Sequence, residues 1–194
     1  MNSLMIRAVY LITKNPVKLS NAKNVLKNYG IEVRQVEMDV PELQSSDVTQ
    51  VAEYSARHAG NNINQLVVKL DVAFEIRALN GFPGPFVKYV NRWLSPEKIL
   101  QLMENENDRY AKFVDCVALY EPDTQQCRSF ISQTGGRIAD EIRGQYGWGI
   151  DKLFIPDGCS QTLASYSDSE KLKICNQSHW QQVAEYLRNN SDDK

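Results

Sequence analysis

Apolar residues run almost unbroken from Leu4 to Ile12, then stop at the polar turn Thr13-Lys14-Asn15-Pro16. A run of that length and density fits a buried strand. Beyond the turn, Leu19, Ala22, Val25, Leu26 and Tyr29 recur at helical spacing. The pattern predicts a helix with Asn15 as N-cap, Pro16 at the first helical position and Gly30 as the stop. Ile31 to Met38 alternates as a second strand, and Pro41 breaks regular structure so that Glu42 rides on a loop. Val48 to Ala59 places Val48, Val51, Ala52, Ser55 and Ala59 on one helical face. Leu66 to Leu70 reads as a short buried strand that delivers Asp71 at its end.

The second half begins with Ala78-Leu79-Asn80-Gly81-Phe82-Pro83-Gly84-Pro85-Phe86, a rigid loop dense in turn formers and aromatics. Ser95-Pro96-Glu97 opens a helix to about Glu104, by the same cap-and-proline logic. Lys112 to Tyr120 and Gln126 to Thr134 pair as strands around the turn at Pro122. Gly135-Gly136 then leads to Arg143-Gly144-Gln145-Tyr146-Gly147-Trp148-Gly149-Ile150-Asp151, glycines interleaved with aromatics and closed by an acid. The last helix shows an apolar face of Trp180, Val183, Ala184 and Leu187, with Glu170-Lys171 just before it. Mixed strands and helices in this order predict an α/β fold with a mixed sheet. A single domain over 1–190 and a frayed polar tail over 191–194 complete the expectation.

Composition narrows the function classes. With 42% hydrophobic and 24% charged residues and a net charge of −2, the chain reads as an ordinary soluble globular protein. That charge argues against a nucleic-acid binder relying on a basic face. The first apolar run is too short to span a bilayer. Four cysteines without CxxC spacing and only two histidines argue against a zinc site, and reduced thiols suit a cytoplasmic protein.

Three stretches carry candidate chemistry. A strand running into a helix N-terminus concentrates free N–H groups and positive dipole, which suits a phosphate, and Lys18 lies on that first turn. An ordinary strand–helix junction explains the same residues. Asp71 at a strand tip suits chemistry in an α/β protein, or is a turn aspartate. Trp148 between glycines can stack on a nucleobase, or serve as a core aromatic.

Taken together these stretches resemble the inosine triphosphate pyrophosphatase family over about Leu4 to Leu187. Thr13-Lys14-Asn15-Pro16-Val17-Lys18 is similar to its T-G-N-x-x-K phosphate loop, and Val40-Pro41-Glu42-Leu43-Gln44 to its L-P-E-x-Q segment. Asp71 with Ala78–Phe86 resembles the acid followed by A-L-G-G-x-P-G-P-Y. Arg143-Gly144 with Gly147–Asp151 resembles R-G-x-x-G-F/W-G-Y/W-D, and Glu170-Lys171 the E-K before the last helix.

The resemblance implies an elongated mixed α/β fold with two lobes flanking a nucleotide cleft, a homodimer, and Mg²⁺-dependent cleavage between the α- and β-phosphates. It implies Glu42 and Asp71 as metal ligands, with Asp71 also activating water, and Lys18 and Lys171 as phosphate clamps. Thr13, Lys14 and Asn15 would add phosphate contacts. Val72, Trp148, Gly149, Ile150, Asp151, Asn176 and Gln177 would line the nucleotide pocket.

Departures from the family pattern carry weight. Lys14 stands for the loop glycine, Asn21 for a glutamate, Leu70 for the first acid of a pair, Val72 for a small hydroxyl residue and Ser165 for an acid. Cys175-Asn176-Gln177 occupies the place of Ser-His-Arg, which reads the purine 6-keto group; a three-residue shift aligns Ser178-His179-Trp180 instead. The arginine is missing in both registers. The expected function is a nucleoside triphosphate pyrophosphohydrolase with altered or relaxed base preference. The alternative is a degenerate member that binds nucleotide or a protein partner without turnover.

Overall fold

The computed structural model describes residues 8–190. Leu4 to Arg7 of the first expected strand, and 191–194 of the tail, lie outside the described residues. The chain opens with β1 (Ala8–Ile12), α1 (Pro16–Leu26) and β2 (Glu32–Val36). Asn15 caps α1 through its side-chain oxygen, which accepts from the Val17 and Lys18 N–H groups, and Gly30 closes the segment with φ 71°. A loop carrying Glu42 leads to α2 (Val48–Ile63) and β3 (Val67–Ile76).

After β3 come β4 (Pro83–Gly84), α3 (Val87–Trp93) and α4 (Pro96–Leu102). The Phe82–Pro83 peptide bond is cis, and the turn before it uses Asn80 at φ 53°, a conformation Asn tolerates better than most residues. A long hairpin follows, β5 (Tyr110–Glu121) and β6 (Gln126–Ile138), then β7 (Phe154–Pro156), α5 (Asp168–Ile174) and α6 (Ser178–Asn189). The sheet is mixed, in the order β2-β1-β3-β5-β6-β7, with β4 also on β3. β1 is parallel to β2 and β3, while β3, β5, β6 and β7 are antiparallel neighbours.

Strand alternation sorts side chains between the two faces. Beneath α2 lie Val67, Ala73, Val114, Cys116, Ala118 and Tyr120. The opposite face carries two separate cores. Val68, Leu70, Val117 and Leu119 pack with α1 and α6, whereas Phe74, Ile76, Ala111 and Ile138 pack with α3, α4 and β7. Between these cores the sheet presents the row Val72, Asp115, Ser132, paired residue by residue across β3, β5 and β6. Two lobes therefore meet over a polar seam.

The structure corrects several expected elements. Asp71 is not at a strand tip but near the middle of β3, which pairs with β5 from Val67 to Ile76. One polar residue does not end a strand whose neighbours Leu70, Ala73 and Phe74 all bury their side chains. Gly135 and Gly136 belong to β6 rather than to the following loop, and α3 is an additional element. Glu170 and Lys171 lie inside α5, a helix of their own.

Candidate active site

β1 covers β3 only at Val67 and Val68, and β4 covers it only at Phe74 and Glu75. Between them one edge of β3 is open over Leu70, Asp71 and Val72. β1 and β3 are parallel here, and the opening lies just beyond the carboxyl end of β1, where α/β sheets commonly bind ligands.

Lys18 reaches this notch from α1 and donates from Nζ to the Leu70 carbonyl at 2.8 Å. Burial pushes its pKa down, while the nearby Asp71 and Asp115 carboxylates work the other way. Asp71 pairs with Lys69 at 3.3 Å through Oδ1. Its Oδ2 is buried and has no hydrogen-bonding partner among the described residues. A buried, unsatisfied carboxylate oxygen carries a penalty that a ligand or ion can relieve.

Glu42 accepts from Lys88 Nζ at 3.0 Å and from the Tyr89 hydroxyl at 2.8 Å. Burial would raise its pKa, but those two bonds and the Lys88 charge hold it below the usual carboxylate value. Lys69, paired with Asp71, also acts on Glu42, so one ammonium couples the two acids. Glu42 further lines a pocket of about 440 Å³ with Leu43, Phe86, Tyr89 and Trp93.

The α1 turn is closed on itself. Thr13 Oγ1 accepts from the Asn15 N–H at 3.0 Å, and Asn15 Oδ1 takes the Val17 and Lys18 N–H groups. An anion arriving here competes with Asn15 for those donors. Lys14 is not among the residues of positive φ, so replacing a glycine costs no backbone strain, and its ammonium pairs with Asp39 at 2.6 Å.

A second cluster lies on the lobe bearing α5. Asp151 Oδ2 accepts from Lys171 Nζ at 3.0 Å and from the Trp148 N–H at 3.1 Å. Gly147, at φ 80°, is packed so closely that a Cβ there would run into both the Asp151 carboxylate and the Lys171 ammonium. Trp148 is 53% exposed, so it is not a core aromatic. Ile150 is buried, and its N–H bonds to Asn91 Oδ1, tying this turn to α3. Gly149 lies against Asn91 and Pro96.

The Cys175–Gln177 segment is pinned to β6. Asn176 receives a bond from Ser132 Oγ on its carbonyl and donates its N–H to Thr134 Oγ1. Ser132 Oγ also meets His179 Nδ1 at 2.6 Å, and burial drives the His179 pKa down to about 4. Among the described residues, Gln177 Nε2 bonds only the Cys175 carbonyl, at 3.4 Å.

The structure thus brings Lys18, Asp71, Lys69 and Glu42 into one electrostatic group, and Trp148, Asp151 and Lys171 into another. Lys171 is held by Asp151, and the charges acting on Lys18 come from Asp71, Lys69, Asp115 and Lys88. Sequence reading overlooked Lys69, Lys88, Tyr89 and Asp115. Lys69 and Asp71 alternate on one strand face, a signal lost once the strand is ended at Leu70. Among the described residues no group of three or more His, Cys, Asp or Glu side chains could hold a metal. No described helix is long and apolar enough to cross a membrane.

Residues 9–189 match the Ham1 family. The chain is similar to a dITP/XTP pyrophosphatase of Methanopyrus kandleri, 40% identical over 94% of this chain and 97% of that one. A dITP/XTP pyrophosphatase of Methanosarcina mazei is 37% identical over 86% of this chain and 89% of that one. Among solved structures, a HAM1 protein from Coxiella burnetii superposes with a TM-score of 0.82 at 26% identity, over 95% of this chain and all of that one.

Proposed function

Because this chain belongs to the Ham1 family, we propose that it hydrolyses nucleoside triphosphates to the monophosphate and pyrophosphate, with a shifted base preference. Curated relatives named dITP/XTP pyrophosphatase, alike over nearly the full length of both chains, support the reaction class. The observation that carries the assignment within this chain is Asp71: one oxygen paired to Lys69, the other buried and unbonded, in an open notch beside Lys18.

The donor set suits magnesium. Glu42 and Asp71 offer hard carboxylate oxygens, and an ion taking one or two of these completes its shell with phosphate and water. When bound, Mg²⁺ would neutralise phosphate oxygens and polarise the phosphoanhydride. Asp71 Oδ2 would accept the proton of the attacking water. Lys18, a partly buried ammonium on the notch edge, would hold the polyphosphate, with Thr13, Lys14 and Asn15 beside it. Trp148 offers an exposed ring for stacking, and Asp151 and Lys171 flank it. Neither Asn176 nor Gln177 brings the cationic donor pair of the missing arginine, so rejection of 6-amino bases would weaken. A homodimer remains part of this proposal by family likeness.

A silent, nucleotide-binding protein is the second reading, favoured by Leu70 in place of an acid and by the self-capped α1 turn. Pyrophosphate release from ITP, XTP, ATP, GTP and their deoxy forms with Mg²⁺ separates the two. Turnover that vanishes in Asp71→Asn supports hydrolysis; nucleotide binding without turnover in either protein supports the silent reading. Efficient ITP cleavage with strong rejection of ATP would overturn the altered base preference while leaving the hydrolase.

A further inference from the structure

Asp115 is the charged group of the cleft that no catalytic role yet uses. It faces the seam between the two cores on the α1 and α6 side, directly paired with Val72 on β3 and with Ser132 on β6. Solvent reaches it in part, yet protein surrounds it closely enough to push its pKa up to about 7, with Lys18 alone opposing that shift. No described residue donates a hydrogen bond to its carboxylate. Polar groups so enclosed are rarely left unbonded.

Position along the seam narrows what the group meets. On one side, Lys18 holds the Leu70 carbonyl of β3; on the other, Ser132 of β6 holds Asn176. Neighbouring strands lie about 4.8 Å apart, so Asp115 stands one strand from each. Its carboxylate also acts on Cys175, which in turn feels Asp151 and Lys171. Asp115 thus lies within electrostatic reach of both Lys18 and the Cys175 segment, so a ligand gripped through phosphate at the first and through its base beside the second would carry its sugar over this row.

We propose that Asp115, in the middle of the Val72–Asp115–Ser132 row, accepts hydrogen bonds from the ribose hydroxyls and makes this chain favour ribonucleoside over 2′-deoxyribonucleoside triphosphates. The inference rests on the nucleotide reading above and adds a sugar contact to it. Carboxylates are the usual partners of ribose hydroxyls, because the ionised group accepts from two neighbouring O–H donors, and those donors favour the ionised form that burial alone disfavours. A cation is a poorer occupant: the Lys18 ammonium already acts on this site, and no described cluster of three ligating side chains lies here.

The test compares kcat/KM for ribo- and 2′-deoxy forms carrying the same base, in the wild type and in Asp115→Asn. It adds equilibrium binding of the uncleaved α,β-methylene analogues of both sugars. Asn keeps the size and removes the enclosed charge, so the fold is retained; Asp115→Thr supplies an independent second variant. The expected result is a ribo preference of about 10- to 100-fold in the wild type, the worth of a charged hydrogen bond, falling towards one in both variants. Equal use of the two sugars by the wild type, or a preference unchanged in both variants, overturns the inference. Analogue binding that shows the preference and loses it with Asp115, without turnover of any triphosphate, upholds the sugar contact and sinks the hydrolase reading.

Discussion

At the α1 turn, Thr13, Asn15, Val17 and Lys18 are joined by bonds between residues two or three apart. Across the seam, by contrast, Asn91 of α3 and Lys171 of α5 hold the turn bearing Trp148 and Asp151, and Ser132 of β6 holds Asn176, so partners come from separate segments. The first arrangement is written locally: an N-cap, a proline and a strand end suffice to place it. The second exists only once α3, α5 and β6 are packed. A local device tolerates Lys14 for glycine because its backbone stays at ordinary φ. A device assembled from distant parts can change its chemistry by replacing one contributor, which is the role proposed above for Asn176 and Gln177.

The sharpest way to break this contrast is at the notch, where Asp71→Asn keeps the shape and removes the proposed base. A positioned general base contributes about 10²- to 10⁴-fold, so pyrophosphate release should fall by at least that factor, the lost magnesium ligand adding to it, while nucleotide affinity measured without metal is largely kept. Steady-state kinetics with a binding titration reads both. A rate within about 3-fold of wild type, far below the factor due to a general base, would remove Asp71 from the chemistry.

What could be read from the chain follows the same division. The α1 cap, the β5–β6 hairpin around Pro122 and the buried face of Trp180, Val183, Ala184 and Leu187 all arise from short-range pattern, and the structure has them. The local pattern ends a strand at Leu70 and so misplaces Asp71 at its tip, because Val72 to Ile76 draw their burial from β5, about forty residues on. Lys88 and Tyr89 escaped notice because their partner Glu42 lies on an irregular loop, outside any periodic pattern. Asp115 was hidden for a related reason. A lone acid in an apolar strand carries no signal until pairing sets Val72 and Ser132 beside it.

His179 offers a milder test aimed at the far end. Burial holds its folded pKa at about 4, against an ordinary value of 6.5, so the fold keeps the imidazole neutral. The unfolded chain takes up the proton first as pH falls. The His179 contribution to stability is therefore full above about pH 6.5, is lost on going down through that value, and levels off near pH 4. By linkage, moving from pH 7.5 to pH 5 should cost the wild type about 2 kcal/mol more than a variant without this imidazole, while Asp115, pushed up to about 7, acts in the opposite direction in both. Urea midpoints at the two pH values check this, with His179→Gln as the reference that lacks the loss. An identical pH response in that variant would place the titration elsewhere.

The smallest expected effect distinguishes the two ends most cleanly. Trp148 is exposed, and its ring is fixed mainly by the turn that Asp151 closes through the Trp148 N–H. Trp148→Ala should leave the thermal midpoint near wild type, since little buried surface is removed. If the ring stacks on the base, one stack is worth about 1–3 kcal/mol, and an exposed one falls at the low end. The KM for a triphosphate should then rise by roughly 10-fold. Inhibition by pyrophosphate, which carries no base, should stay unchanged, because the Lys18 notch is built without Trp148. Parallel weakening of both would mean that the ring supports the phosphate site, and the separation of the cleft into a local end and an assembled end would fail.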